Sequence, residues 1–269
     1  MVSMNAVKAK TTEHKGASNP YLSIIMPAYN EEKNIVKSLS SIYAYLKDYD
    51  YSYEILVVDD GSFDNTAKIV QEFCKNHKGF KLVRNPHKGK GPTIWTGVMT
   101  AKGEYIYLAD ADMAAQISEI KRLFVWLVDE SYDIAIASRE GLGSSRINEP
   151  YYRHLMGRVF NLWVRLIAVS GIEDTQCGFK LFRKNSAKEI FKRLKIYGDS
   201  AKEIKEAYLG AFDVEVLYLA KKLGFKVKEV PVTWMYVKTQ RINPIKDSVK
   251  MALDVLKVRV NDIRGLYKL

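Results

Sequence analysis

Two carboxylates one residue apart, Asp110 and Asp112, close an apolar run that starts at Glu104 and passes through Tyr105, Ile106, Tyr107, Leu108 and Ala109. The run has the length of a strand, and period-two alternation sets both carboxylates on one side of an extended chain. Like charges held that close repel unless a cation lies between them and something else. Mg²⁺ and Mn²⁺ are hard cations that favour one or two carboxylates plus phosphate oxygens over a wholly protein cage. The spacing therefore predicts a divalent metal on Asp112 and Asp110, carried with a phosphorylated ligand. A solvated turn after a buried strand would use the same residues, so the rest of the chain must decide.

The elements that would position the pair alternate regularly. Leu22–Pro27 reads as a buried strand stopped by its proline, and a helix follows with Ile35, Leu39, Ile42 and Leu46 on one face. Glu54–Val58 is a second strand, ending in Asp59-Asp60-Gly61-Ser62, and Asp64-Asn65-Thr66 opens the next helix. Phe80–Arg84 is a third, running into the basic glycine loop Asn85–Pro92, where Lys88 and Lys90 read as solvated and His87 as a surface residue. Ser118 is placed to cap a helix bearing Ile120, Leu123, Phe124, Leu127 and Val128, and Asp133–Ser138 is a further strand reaching Arg139. Strand and helix alternating four times predict an α/β fold with a doubly wound, mostly parallel sheet. Ligands of such sheets sit beyond the carboxyl ends of the strands, where Pro27–Glu31, Asp59-Asp60 and Asp110–Asp112 all fall.

Later segments are less regular. Tyr151–Val169 is an aromatic-rich helix punctuated by Arg153, Arg158 and Arg165; a polar loop, Glu173–Lys180, leads into a strand. Ala211–Leu223 is helical, and Phe225–Val230 is the last strand. From Ile245 to Leu269, Val249, Leu253, Leu256, Val260 and Ile263 are interspersed with lysines and arginines, which reads equally as a core-packing helix or one lying on a membrane surface. The expected organisation is a flexible tail at 1–19, a catalytic domain at 20–244 and a basic amphipathic helix at 245–269.

Forty-two Lys and Arg against 31 Asp and Glu give a net charge of +11, which attracts polyanions. No nucleic-acid module signature accompanies it, so no nucleic-acid partner is expected. Two cysteines, Cys74 and Cys177, lie in no metal spacing and predict reduced thiols. No apolar run reaches the roughly 18–20 residues that a spanning helix needs.

The segments Pro27-Ala28-Tyr29-Asn30-Glu31, Val58-Asp59-Asp60-Gly61-Ser62 and Asp110-Ala111-Asp112 resemble the family 2 glycosyltransferases of the GT-A fold. Asp174-Thr175-Gln176-Cys177-Gly178-Phe179-Lys180 and Phe212-Asp213-Val214-Glu215 are similar to the polyprenyl-phosphate sugar transferases, and to their glucosyl branch more than to the mannose synthases. That resemblance implies a donor pocket of Pro27, Tyr29, Glu31, Val58, Asp60, Asp110 and Ala111, with Asp60 at the ring N–H of the base. It implies Asp112 on the metal, Arg139 on the acceptor phosphate, and Lys238 and Arg241 in a loop closing over the diphosphate. Asp174 would orient the acceptor or a basic side chain, or cap the following turn. The implied reaction is inverting transfer of a hexose, glucose from UDP-glucose, onto a polyprenyl phosphate by a peripheral protein at the cytoplasmic face of a membrane. Two departures stand out. A metal-binding Gln expected at position 114 is Ala114, with Gln116 two residues on, and Tyr197–Gly210 has no counterpart. Rival readings are a GDP-mannose donor, a soluble saccharide acceptor, and a non-enzymatic basic protein; an oxidoreductase is disfavoured because no Gly-x-Gly-x-x-Gly follows the first strand.

Overall fold

The computed structural model describes residues 19–49, 51–208, 210–237 and 244–268. The strands are β1 (Leu22–Ala28), β2 (Tyr53–Asp59), β3 (Phe80–Arg84), β4 (Tyr105–Leu108), β5 (Ile134–Ser138), β6 (Ser145–Ile147), β7 (Lys180–Arg183), β8 (Val227–Pro231) and β9 (Thr233–Met235). Between them run α1 (Ile35–Leu46), α2 (Thr66–Asn76), α3 (Lys90–Thr100), α4 (Ile120–Val128), α5 (Tyr151–Ile167), α6 (Lys184–Lys192), α7 (Phe212–Lys222) and α8 (Pro244–Ile263).

Seven strands form one sheet in the order β3-β2-β1-β4-β7-β5-β8. All pairings are parallel except those of β7, which runs antiparallel to both β4 and β5. The central strands read as near-continuous apolar runs because helices cover both faces. Along β1 the alternation is explicit: Leu22, Ile24 and Met26 enter the core under α1 and α4, while Ile25 enters the core under α3, α6 and α7.

Two boundary expectations are corrected. Pro27 does not stop β1; it pairs in register with Val58, and the strand ends at Ala28. Pairing with β4 has already ended at Ile25 opposite Leu108, so the missing N–H costs no bond on that side. Ser118 caps nothing: it sits inside a 3₁₀ turn, Ile117–Glu119, that leads into α4.

Inverting β7 is what brings the Asp174–Lys180 loop to the ligand edge. The amino end of an antiparallel strand lies beside the carboxyl ends of its parallel neighbours. Residues entering β7 therefore meet residues leaving β4 and β5.

α8 packs on α5 and α7, burying Val255 and Val258. The apolar side chains that the sequence singled out, Val249, Leu253, Leu256, Val260 and Ile263, are all exposed. Tyr151, Leu155, Val159, Leu162 and Leu166 of α5 are exposed too. Among the described residues, no helix is long and apolar enough to cross a membrane.

Candidate active site

A cleft of about 210 Å³ opens at the carboxyl ends of β1, β2 and β4, lined by Pro27, Tyr29, Glu31, Asp60, His87, Lys90, Asp110, Ala111 and Asp112 among others. Its near wall is two loops that hold each other. The Asn30 N–H donates to Ser62 Oγ at 2.9 Å, the Glu31 N–H to Thr66 Oγ1 at 2.7 Å, and the Phe63 N–H to Asn30 Oδ1 at 3.1 Å. The short polar residues after β1 and β2 thus replace ladder bonds where the strands end. Tyr29 lies flat against His87, ring centroids 4.1 Å apart. His87 is a cleft residue rather than a surface one.

Asp60 is buried and organises the glycine loop. It accepts hydrogen bonds from His87 Nδ1 (2.8 Å), the Lys88 N–H (2.9 Å) and the Gly89 N–H (2.9 Å). Gly89 has φ +90°, and a Cβ there would sit 3.1 Å from the Tyr208 carbonyl, so the tight turn needs glycine. Val58 does not line the cleft: its side chain is fully buried under α3, where a Cβ on Gly97 would lie 3.1 Å from it.

The two carboxylates meet through a turn, not through strand alternation. β4 ends at Leu108, the Met113 N–H closes back on the Asp110 carbonyl at 3.1 Å, and Met113 adopts φ 48°. Asp110 Oδ1 pairs with Lys90 Nζ at 2.5 Å, which corrects the reading of Lys90 as solvated. Burial favours the neutral amine, yet the charges of Asp110 and Asp213 win and hold the Lys90 ammonium above its ordinary range. Gly178 supports Asp110 from behind, since a Cβ there would fall 2.1 Å from Asp110 Oδ2. Asp112 stands at the mouth of the cleft. Crowding by the cleft walls, then the charge of Asp110, push its carboxyl up to about 6. A cation would relieve that stress. Among the described residues, no cluster of three or more His, Cys, Asp or Glu could hold a metal alone. Asp110 and Asp112 therefore fit a hard cation shared with phosphate oxygens, not a closed protein cage. Ala114 supplies only an N–H, to Asp112 Oδ1 at 3.0 Å, and Gln116 is exposed and does not line this cleft.

A second pocket, about 220 Å³, adjoins the first and is lined by Lys90, Arg139, Arg146, Arg153, Asn161, Gln176, Asp213 and Asp247, with Met156, Phe160 and Met251. Arg139 does not offer an open fork to a phosphate. Its Nε and Nη2 donate to Asp174 at 2.7 and 2.9 Å, its backbone N–H adds a third bond at 2.9 Å, and its guanidinium lies over Trp234. Asp174 is wholly buried. Burial alone would raise its carboxyl, but the Arg139 guanidinium overrides this and holds it well below the usual carboxylate range. Arg146 is likewise committed, to Glu140 and Glu149. Arg153 lies over the Tyr236 ring and, among the described residues, has no carboxylate partner. The sequence marked it only as an interruption of an aromatic helix; its one clue was a cation on an otherwise apolar stripe.

The segment 197–210 is no appendage. Ala207 and Tyr208 line the first cleft, and the Ile204 N–H donates to the His87 carbonyl at 2.9 Å. Glu215 anchors the start of that segment, accepting the N–H groups of Lys195, Ile196 and Tyr197. Asp254 on α8 accepts from Tyr197 Oη and Tyr208 Oη. Lys238 and Arg241 lie outside the described residues.

The model of glycosyl transferase family 2 matches residues 23–191. The chain belongs to glycosyl transferase family 2. It is an enzyme, a glycosyltransferase. It is 35% identical over 266 residues to a dolichyl-phosphate beta-glucosyltransferase of Dictyostelium discoideum, covering 93% of this chain and 77% of that protein. The Homo sapiens protein of the same name is 33% identical, with 92% and 78% covered. The fold is shared with mannosyl-3-phosphoglycerate synthase from Rubrobacter xylanophilus (TM-score 0.66, 17% identity, 98% of this chain and 78% of that one). It is also shared with glucosyl-3-phosphoglycerate synthase from Mycobacterium tuberculosis, crystallised with Mn²⁺, UDP-glucose and phosphoglyceric acid (TM-score 0.62, 17% identity, 95% and 82%).

Proposed function

We propose that this enzyme transfers glucose from UDP-glucose to the phosphate of a dolichyl-type lipid at a membrane surface, inverting the anomeric centre. The observation that carries the reading is a pair of pockets sharing one wall. One is acidic and suits a cation-bridged diphosphate; the other is rich in guanidinium and lined in part by α5 and α8, helices that also carry exposed apolar side chains. The names of the relatives give the same transferred sugar and the same acceptor class.

An oxygen of the acceptor phosphate attacks the anomeric carbon, and the bond from that carbon to the β-phosphate oxygen breaks, its electron pair leaving with UDP. A phosphate monoester is largely ionised near pH 7, so no catalytic base has to be found. The site's work is alignment and charge neutralisation. Asp112 and Asp110 would hold Mg²⁺ or Mn²⁺, which offsets charge on the departing diphosphate. Tyr29 and His87 form the flat wall of the nucleotide cleft. Arg153 meets the acceptor phosphate with its fork, and Arg139, fixed by Asp174, sets the shape of the pocket and its positive potential. Lys238 and Arg241 belong to this reading as donor-closing groups, as does the cytoplasmic side of the membrane.

The test incubates the enzyme with radiolabelled UDP-glucose or GDP-mannose, Mn²⁺ and dolichyl phosphate in detergent, then extracts with organic solvent. Label from UDP-glucose should enter the organic phase and that from GDP-mannose should not. The opposite pattern selects the mannosyl reading, and label that stays aqueous with both rejects a lipid acceptor.

A further inference from the structure

Lys90 occupies the wall between the two pockets and borders both; Asp247 is the other described residue that does so. Its ammonium is paired with Asp110 at 2.5 Å and stands 5.9 Å from the centre of the Phe212 ring. Three carboxylates act on it, those of Asp110, Asp213 and Asp112. Asp213 makes its own contact with the buried Lys180 and acts on Lys90 from farther off. Asp110 is thus the carboxylate that holds Lys90, and it is also one of the two that fit a cation. A divalent ion on Asp110 competes directly with the ammonium for the same oxygens.

We propose that Lys90 is a binding group for the acceptor phosphate, held in reserve by Asp110 until a divalent cation claims that carboxylate. The proposal rests on the transferase reading above and adds an order to it. Without nucleotide and metal, the positive charge of Lys90 is cancelled inside the wall. Once the cation arrives, the lysine is released and the neighbourhood gains positive charge on the side where the second phosphate must approach. A four-carbon stem with a compact charge lets the ammonium turn from one pocket to the other without moving α3. Arg139 and Arg146 cannot substitute, because their guanidinium groups are engaged by carboxylates with or without the metal.

The experiment measures calorimetric binding of citronellyl phosphate, a short water-soluble polyprenyl phosphate, alone, with Mn²⁺, and with Mn²⁺ plus UDP. Releasing one charge-assisted contact should tighten wild-type binding roughly tenfold or more when Mn²⁺ and UDP are present. Lys90→Met should lose this tightening while keeping a cooperative thermal transition, which shows that it folds. Lys90→Arg should retain the tightening, and Asp110→Asn should bind the lipid phosphate in the absence of metal more tightly than wild type does. Undiminished tightening in Lys90→Met overturns the proposal, as does a wild type that binds UDP and Mn²⁺ without tightening. A wild type that binds no UDP with Mn²⁺ overturns the transferase reading itself, a different result.

Discussion

Asp112 is where charge crowding becomes measurable. Its carboxyl, raised to about 6, binds a cation only after losing its proton, so protons and metal compete there. The sign follows: affinity for UDP with Mn²⁺ is level above about pH 7 and falls as pH drops through 6, approaching tenfold per unit below it. Calorimetry between pH 5 and 8 reads this directly, and Asp112→Asn should flatten the profile while weakening binding throughout. Gly178 makes a steric prediction on the same cluster. Gly178→Ala would drive a methyl to 2.1 Å from Asp110 Oδ2, so the carboxylate must move. UDP binding with Mn²⁺ should weaken by about tenfold or more, the loss of one charge-assisted contact, whereas metal-free UDP binding changes little. Some of this was legible without coordinates. The acidic ends of β2 and β4 followed from strand-length apolar runs stopping at carboxylates, and that of β1 from a run closing at Pro27 shortly before Glu31. That Lys90 pairs with Asp110, or that Arg139 is occupied by Asp174, did not follow, because long-range ion pairs leave no periodic trace in a sequence.

The elements explain which of those contacts can be trusted to stay put. Arg139 directly follows β5, Asp174 lies in the loop into β7, and their fork-on-fork contact ties one to the other. The favourable charge state of Asp174 is present above its unfolded value near 4 and is lost only far into acid, because its folded value is depressed. Asp174→Asn should therefore lower Tm at pH 7 by roughly 10 °C, the cost of leaving a largely buried guanidinium unpaired. The gap from wild type should close only below about pH 4, as followed by calorimetric melting. Element types were read well where both faces of the sheet are covered and the apolar runs are long. α6 and the small β6–β9 pair were missed, being short and half-polar. Segment 197–210 escaped because it has almost no regular structure. Its order comes from Glu215, 18 residues beyond Tyr197, and from Asp254 on α8, 57 residues beyond it.

For the molecule as a whole, α5 and α8, which help to line the second pocket, also carry exposed apolar side chains, and the net charge of +11 adds attraction for anionic headgroups. The protein should float with vesicles containing phosphatidylserine, less with neutral ones, and less again in high salt. Replacing Leu166 and Ile263, which are 73% and 76% exposed, by serine should reduce recovery in the lipid fraction more than tenfold while leaving Tm nearly unchanged. Equal flotation of that double variant would mean that other surfaces meet the bilayer. The inverted β7 has a further consequence, during synthesis. β1 to β4 leave the ribosome first and assemble among themselves, but the free edge of β4 must wait about 70 residues for its partner. A fragment ending near residue 150 would contain nearly every nucleotide-facing residue and still present a bare, apolar strand edge to its neighbours. Such a truncation is expected to aggregate rather than serve as a free-standing nucleotide binder, and the nascent chain to depend on chaperones until Arg183 has emerged.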